Sequence, residues 1–269
     1  MKSSFLLQRE IKNVFEHGRH HNPAFHAHFH SHIEIYMFHS GQVEILINDR
    51  RQVLGAGEIA VAFSYDSHGY RTVSEADAEY LIIPRDYCKE ILPLLEQRKI
   101  TNPFINDPAT YKIISDAMSR LSENPNELTT RGLIYTILGA ILDHTQISED
   151  KAQSVVPHFS SEILIYISEH FREELTLPIL AKRFGYNPSY LSRNFKETFG
   201  ISFCKYITML RLREAILLLK NGDTSVTECA FESGFGSTRS FYRAFQEEFG
   251  VTPKEYFAQH SYDFDTNKR

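Results

Sequence analysis

Two sets of residues in this 269-residue chain have types and spacings that chemistry could use. The first is a pair of polar, arginine-bearing faces. Ser189, Tyr190, Ser192, Arg193 and Lys196 flank a row of Leu191, Phe195 and Phe199, and Thr238, Arg239, Tyr242 and Arg243 flank Phe241, Phe245 and Phe249. Residues four apart share a helix face, so each apolar row reads as buried and each arginine set as exposed. A guanidinium is a flat fork of donors that fits a guanine edge or a phosphate. The plainer reading of the same arginines is a surface ion pair on a solvated helix. The second set is His28, His30, His32 and Glu34, with His68 further along. In a strand the side-chain period is two, so the first four point one way for as long as the strand stays regular.

The arginine faces belong to a segment that repeats. Leu180-Ala181-x3-Gly185-Tyr186 precedes Leu191-x-Arg193-x-Phe195-x3-Phe199-Gly200, and Cys229-Ala230-x3-Gly234-Phe235 precedes Phe241-x-Arg243-x-Phe245-x3-Phe249-Gly250. Two copies are too few for a solenoid and indicate one unit used twice. Each copy predicts a helix, a glycine turn and a second helix. In the first, Thr176 caps a helix with Pro178 in its first turn, Gly185 ends it in the left-handed conformation, and Asn187 caps the next with Pro188 at its first position. In the second, Ser225-Val226-Thr227-Glu228 is a capping box, Gly234 makes the turn and Ser237 caps the last helix. Residues 203–221 predict a connecting helix about 28 Å long. It would hold the two second helices about one DNA turn, roughly 34 Å, apart. Helix, short glycine turn, helix is the arrangement that lays a second helix in the major groove. One unit alone would be equally consistent with a plain helical bundle; the matched pair favours DNA.

Residues 160–259 resemble the DNA-binding domain of AraC/XylS-type bacterial transcription regulators. The resemblance runs through both units to the ending Gly250-Val251-Thr252-Pro253-x2-Tyr256. It implies base and phosphate contacts from Ser189, Tyr190, Ser192 and Arg193 in the first recognition helix, and from Thr238, Arg239, Ser240, Tyr242 and Arg243 in the second. Lys196 joins the DNA side, and Arg193 and Arg243 come first. It also implies double-stranded DNA and RNA polymerase as partners, a homodimer, and a role as an activator, often of sugar or catabolic operons.

The first half has another texture. Residues 1–24 are polar and read as an arm or first strand. Residues 34–38, 42–47, 51–54 and 59–63 predict short strands, with turns at Asn48-Asp49 and Gly55-Ala56-Gly57 and a last strand ending at Ile83. Many short strands indicate a sandwich or jelly-roll barrel. Helices are predicted over 87–98 behind Asp86, over 108–121 behind Asp107, and over 128–144. The wide apolar face of the last would pack on the barrel or pair with its copy in a dimer.

His28-x-His30-x3-Glu34-x6-Gly41 and Gly57-x5-Phe63-x-Tyr65-x2-His68 resemble the two motifs of the cupin barrel, a common sensory domain in AraC-type regulators. In metal-binding cupins the positions of His28, His30, Glu34 and His68 hold one divalent ion. Three imidazoles and a carboxylate suit Zn, Ni, Fe or Mn without choosing among them. The motif departs from the usual pattern at Phe63, Tyr65 and Thr72. Three readings of these four residues therefore stand: a metal site, the lining of an organic effector pocket, or a polar barrel mouth. His20, His21, His26, His32 and His39 read as solvated or turn histidines.

Composition bounds the rest. The length allows two domains with real cores. Cys88, Cys204 and Cys229 are odd in number and lack zinc spacing, which indicates reduced core thiols in a cytoplasmic protein. No apolar run is long enough to cross a membrane, and residues 1–9 carry charge too soon for a signal peptide. Residues 155–260 carry 12 Lys+Arg and 12 Asp+Glu, and residues 1–150 carry 14 and 20. Positive charge must therefore be sorted by face, and DNA affinity should be modest and steeply salt-dependent. The expected fold is multidomain β + α: an N-terminal cupin-like β-barrel with trailing helices, and a C-terminal all-α double helix-turn-helix. The expected division is a barrel and following helix at 1–107, a helical pair at 108–146, a linker at 147–158, the double helix-turn-helix at 159–260 and a tail at 261–269. The reading is a regulator, not an enzyme, that senses a small molecule such as a sugar through its N-terminal barrel. Two rivals are a metal-dependent cupin enzyme with a fused DNA-binding domain, and an adaptor whose basic helix faces bind protein.

Overall fold

The computed structural model describes residues 4–12, 15–91, 99–100, 102–123, 125–144, 147–148, 161–221 and 225–259. The chain divides into two compact units, Met1–Glu162 and Ile163–Arg269. Most of the expected linker lies outside the described residues.

The first unit is a barrel-like sheet of eight strands. They are β1 Ser4–Phe5, β2 Glu16–His21, β3 Phe25–Phe29, β4 Ile33–Ile47, β5 Arg50–Gly55, β6 Ile59–Ala62, β7 His68–Ile83 and, later in the chain, β9 Phe104–Ile105. A short helix, α1 Leu7–Lys12, follows β1. The sheet runs β1-β3-β7-β4-β6-β9, with β2 on β7 and β5 on β4. Two further short strands, β8 Lys99–Ile100 and β10 Ile147–Ser148, pair with each other.

The long antiparallel pairing of β4 with β7, from Ile33↔Ile83 to Ile47↔His68, is the spine. The two strands expected at 34–38 and 42–47 are one. The chain does not turn between them; it bulges at Gly41, where φ is +72° and the register shifts. The bulge also explains a change in hydrophobic parity. Before it, Tyr36 and Phe38 face the barrel interior while Ile33, Ile35 and Met37 face the helices; after it, Val43, Ile45 and Ile47 face the interior. One extra residue in a strand swaps its faces. A Cβ at Gly41 would lie 2.0 Å from the Glu75 carbonyl oxygen and 2.6 Å from Ala76 Cα. Gly41→Ala should therefore lower unfolding stability by at least about 2 kcal/mol, since left-handed strain alone costs of order 1–3 kcal/mol. Urea unfolding of the full chain reads this.

The helices α2 Pro108–Leu121 and α3 Glu127–His144 cover the outer face. Asp107 caps α2 as expected, its carboxylate accepting from Thr110 N at 2.7 Å. Ile114, Met118, Ile134, Ile137 and Ile141 pack against Ile33, Ile35 and Met37 in one core, so the buried stripe of α3 is used on the sheet. The helix expected over 87–98 differs: a 3-10 turn over Arg85–Tyr87, entered from Pro84, stands where it should begin. Residues 92–98 lie outside the described residues. A backbone leaving a strand through proline has lost one donor and keeps an extended conformation, which favours a tight turn.

The second unit contains α4 Ser161–His170, α5 Leu177–Phe184, α6 Pro188–Phe199, α7 Phe203–Asn221, α8 Val226–Glu232, α9 Thr238–Phe249 and α10 Pro253–Gln259. Leu191, Phe195 and Phe199 of α6, and Phe241 and Phe245 of α9, are buried, whereas Phe249, expected inside, is half-buried. Asn187 accepts from Ser189 N at 2.9 Å and Tyr190 N at 3.3 Å. Ser225 and Glu228 form the reciprocal capping box, and Ser237 accepts from Ser240 N at 3.2 Å. Thr176 stands at the N-cap of α5, but its side chain makes no capping bond there. Gly185 is left-handed as expected.

Candidate functional site

His28, His30, Glu34 and His68 come together inside the first unit. All four are buried, and one ligand atom from each lies within 4.8 Å of the others. Glu34 points inward with Tyr36 and Phe38 because they share parity on β4. His28 at the end of β3 pairs with His68 at the start of β7. His32 does not join the quartet, although its ring meets that of His30 edge-on at 5.5 Å. The chain leaves strand geometry at residues 30–32, so the two-residue alternation expected there fails, and His32 is buried beside Ser31 instead.

Hydrogen bonds set the state of each ring. His28 Nδ1 donates to the His26 carbonyl at 2.8 Å, and His68 Nδ1 donates to the Asp66 carbonyl at 2.8 Å. A carbonyl only accepts, so both rings keep Nε2 for another partner, the orientation that metal-ligating histidines use. His30 Nε2 is 3.2 Å and His68 Nε2 3.6 Å from Glu34 Oε2. Tyr70 donates its hydroxyl to the other oxygen, Oε1, at 3.0 Å. His30 Nδ1 and His68 Nε2 are buried without a hydrogen-bond partner.

Burial pulls the His28 ring down to about 4, with His68 adding to the effect. Burial also lowers His30 against the pull of Glu34. Burial alone would raise the Glu34 carboxyl, but the imidazoles of His68 and His30 hold it well below its ordinary value. Burial lowers His68, yet facing Glu34 raises it above the ordinary imidazole value.

This donor set fits a divalent ion. Bonds of about 2.0–2.1 Å place neighbouring ligand atoms about 3.3 Å apart around a four-coordinate ion and about 2.9 Å apart around a six-coordinate one, so the groups need to close by about 2 Å at most. The ion would be held by neutral imidazoles and would supply a fixed positive charge beside Glu34. Adding zinc at 100 times its dissociation constant should raise stability by about 2.7 kcal/mol. That gain should vanish in His28→Ala and in His68→Ala; thermal unfolding with and without zinc measures it.

A cavity of about 300 Å³ opens beside the quartet, and its wall includes Arg9, His20, Phe25, His28, Glu34, Tyr36 and Tyr80. Sequence reading missed most of this wall. His20, expected to be solvated, is half-buried: its Nδ1 lies 2.6 Å from the Tyr36 hydroxyl and its ring stacks on Tyr80 at 4.3 Å. His21, His26 and His39 are exposed, as expected.

In the second unit, Ser189, Ser192, Arg193 and Lys196 of α6 are exposed and Tyr190 is half-buried. On α9, Arg239, Tyr242 and Arg243 are exposed, while Thr238 and Ser240 are half-buried. Ser240 is engaged in the cap, its hydroxyl donating to the Ser237 carbonyl at 2.7 Å. Among the described residues no carboxylate pairs with Arg193, Lys196 or Arg239. Arg243 Nε is 3.9 Å from Glu247 on the same helix, with both side chains solvated, a pair that water and salt release readily.

Residues 13–138 match the family model of the AraC-like ligand binding domain, and residues 180–259 match that of a helix-turn-helix domain. The chain belongs to the AraC family of transcription regulators. Its two parts are the family's sheet-rich ligand-binding domain and its helical helix-turn-helix domain. Among curated relatives of this AraC-type chain, an uncharacterized HTH-type transcriptional regulator of Staphylococcus aureus (strain COL) is 30% identical over 132 residues, 49% of this chain and 18% of the relative. The HTH-type transcriptional regulator YtdP of Bacillus subtilis (strain 168) is 35% identical over 109 residues, 40% of this chain and 14% of YtdP. The chain thus spans under a fifth of the length of these relatives. The C-terminal domain of AraT, a response regulator from Geobacillus stearothermophilus, is similar at 32% identity, covering 38% of this chain and 88% of that domain with a TM-score of 0.36. No described helix of the AraC-type chain is long and apolar enough to cross a membrane.

Proposed function

We propose that this AraC-type chain regulates transcription by binding specific double-stranded DNA through α6 and α9, under the control of a small molecule held in the barrel. The observation that carries the reading is the matched pair of capped helices, each presenting exposed arginine on the face opposite its buried row. Arg193 and Arg243 are assigned to base edges or phosphates. Lys196, Arg239, Ser189, Tyr190, Ser192, Thr238 and Tyr242 support them, and Ser240 acts mainly by holding the end of α9. The cavity beside His28 and Glu34 is the effector site, and the quartet is its metal anchor. The effector shifts the DNA-bound arrangement by favouring one of two states. In keeping with the family resemblance, the regulator acts as a cytoplasmic homodimer that activates transcription with RNA polymerase in response to a small molecule, and catalyses no reaction.

Binding of the full chain to the DNA upstream of its own and adjacent genes, at several salt concentrations and against random DNA of equal length, tests the reading. Specific binding should fall steeply with salt. Indifference between the two DNAs, with and without added zinc and cell extract as an effector source, would defeat it. A fragment of residues 155–269 should bind the same DNA by itself; a folded but inert fragment would remove α6 and α9 from the role. The buried quartet is the observation that favours a second reading, a metal-dependent enzyme carrying a DNA-binding unit. Substrate turnover by the metal-loaded chain, lost in His68→Ala, would select it.

A further inference from the structure

The wall of the cavity restricts what can fill it. We propose that the cavity binds a small α-hydroxy carboxylate, which completes the coordination of a divalent ion on His28, His30, Glu34 and His68 and sets its carboxylate within reach of Arg9. The proposal rests on the quartet holding a metal and deepens that reading by naming the effector's class.

Three observations carry it. The first is contiguity: His28 and Glu34 belong both to the quartet and to the cavity wall. Tyr70 occupies Glu34 Oε1, so the carboxylate offers the ion one oxygen, Oε2. Four protein donors leave two positions on an ion that prefers six ligands. A hydroxyl and a carboxylate on adjacent carbons are a natural two-point donor for them.

The second is charge. Arg9 and Glu34 are the charged side chains on the wall and offset each other. A divalent ion makes the cavity net positive, which favours an anion over a neutral ligand. Among the described residues, Arg9 is paired with Glu16 through Nη1 alone. Glu16 is shared with Lys12, whose Nζ is 3.3 Å from its other oxygen. The remaining donors of the Arg9 fork are therefore open to a ligand carboxylate.

The third is the wall itself. His20 lies 19° from parallel on Tyr80, and its Nδ1 is already engaged by the Tyr36 hydroxyl. This part of the wall is aromatic, and the His20 ring and the Tyr36 hydroxyl each spend a polar atom on the other. It suits the carbon body of a small acid better than a neutral sugar, which would need a partner for each hydroxyl.

Co²⁺ is the probe ion, because its visible absorption reports its ligands. Intact protein should take up one Co²⁺, and His28→Ala or His68→Ala should not. Lactate and mandelate should then shift the absorption of the Co²⁺-loaded protein. They should bind at least tenfold more tightly than their methyl esters, and at least tenfold more tightly than to metal-free protein. Arg9→Gln should weaken the acids at least tenfold while keeping Co²⁺ uptake, and Arg9→Lys should recover part of the loss. Failure to take up Co²⁺ would overturn the quartet itself. Normal uptake with esters bound as well as acids, with no response to either acid, or with equal acid affinity in the absence of Co²⁺ would overturn the effector class alone. Should Arg9→Gln not fold, the comparison of acid and ester on the unaltered protein decides.

Discussion

Arg193→Ala and Arg243→Ala should each weaken binding to the specific operator by about 1–3 kcal/mol, and the double variant by about 2–6 kcal/mol if the sites act independently. Both side chains are exposed and stand opposite the buried rows Leu191-Phe195-Phe199 and Phe241-Phe245. Their removal should therefore leave stability within about 0.5 kcal/mol, so that loss of binding is not loss of fold. Arginine-to-lysine changes separate the two chemistries. A phosphate contact survives the swap in large part, because lysine keeps the charge; a bidentate contact to guanine does not, because the planar fork is gone. Where the contact is to phosphate, the salt slope should fall by about one. Gel shifts with the operator and with random DNA, across a salt series, read all of this. Equal affinity of a folded double variant and the unaltered protein would take both arginines out of the interface.

The second large effect is expected at Gly234. Its φ is +93°, and an added Cβ would come within 2.7 Å of Arg172 Cα and 2.8 Å of the Arg172 carbonyl oxygen. The backbone at the end of α8 thus lies directly against the segment after α4. Gly234→Ala combines a strained left-handed conformation with a backbone clash that no rotamer change relieves. A loss of about 3 kcal/mol follows, above the 1–3 kcal/mol of strain alone. The other copy supplies the control. Gly185 has φ +72° and nothing within 4 Å of an added Cβ, so Gly185→Ala should cost only about 1 kcal/mol. Urea unfolding of the two variants, paired with operator binding, measures the difference. Similar costs at the two glycines would mean that the close approach at Arg172 contributes nothing.

These contrasts show where the sequence could be read and where it could not. The double unit was legible because its signals are local. Caps at Asn187, Ser225 and Ser237, the left-handed Gly185, and aromatic residues every fourth position each act within a turn or two of chain, and apart from the half-buried Phe249 each is where the spacing put it. Thr176 shows the limit, since occupying a cap position does not ensure the capping bond. That Gly234 must be glycine for two reasons, and Gly185 for one, depends on a neighbour some sixty residues away in the first case.

In the barrel, the residue types of the quartet were plain in the sequence, but their convergence was not a consequence of alternation. His30 and His32 lie where the strand has given way, and only the pairing of β3 with β7 brings His68 to His28. The bulge at Gly41 had a signal that could have been used: the inward apolar positions change from even to odd across it, as Tyr36 and Phe38 give way to Val43, Ile45 and Ile47. The cavity wall had none. Arg9 comes from α1, His20 from β2 and Tyr80 from β7, and no spacing along the chain relates them.

By itself, then, the sequence determined the family, the two-part architecture and the faces of α6 and α9, because helix periodicity and capping are short-range and each residue type has one low-energy use there. Tertiary structure alone decided which histidines meet Glu34, which of their nitrogens are free, and which cation stands over the cavity. Those depend on strand register and on burial, which set distances and charge states among residues that the chain keeps far apart.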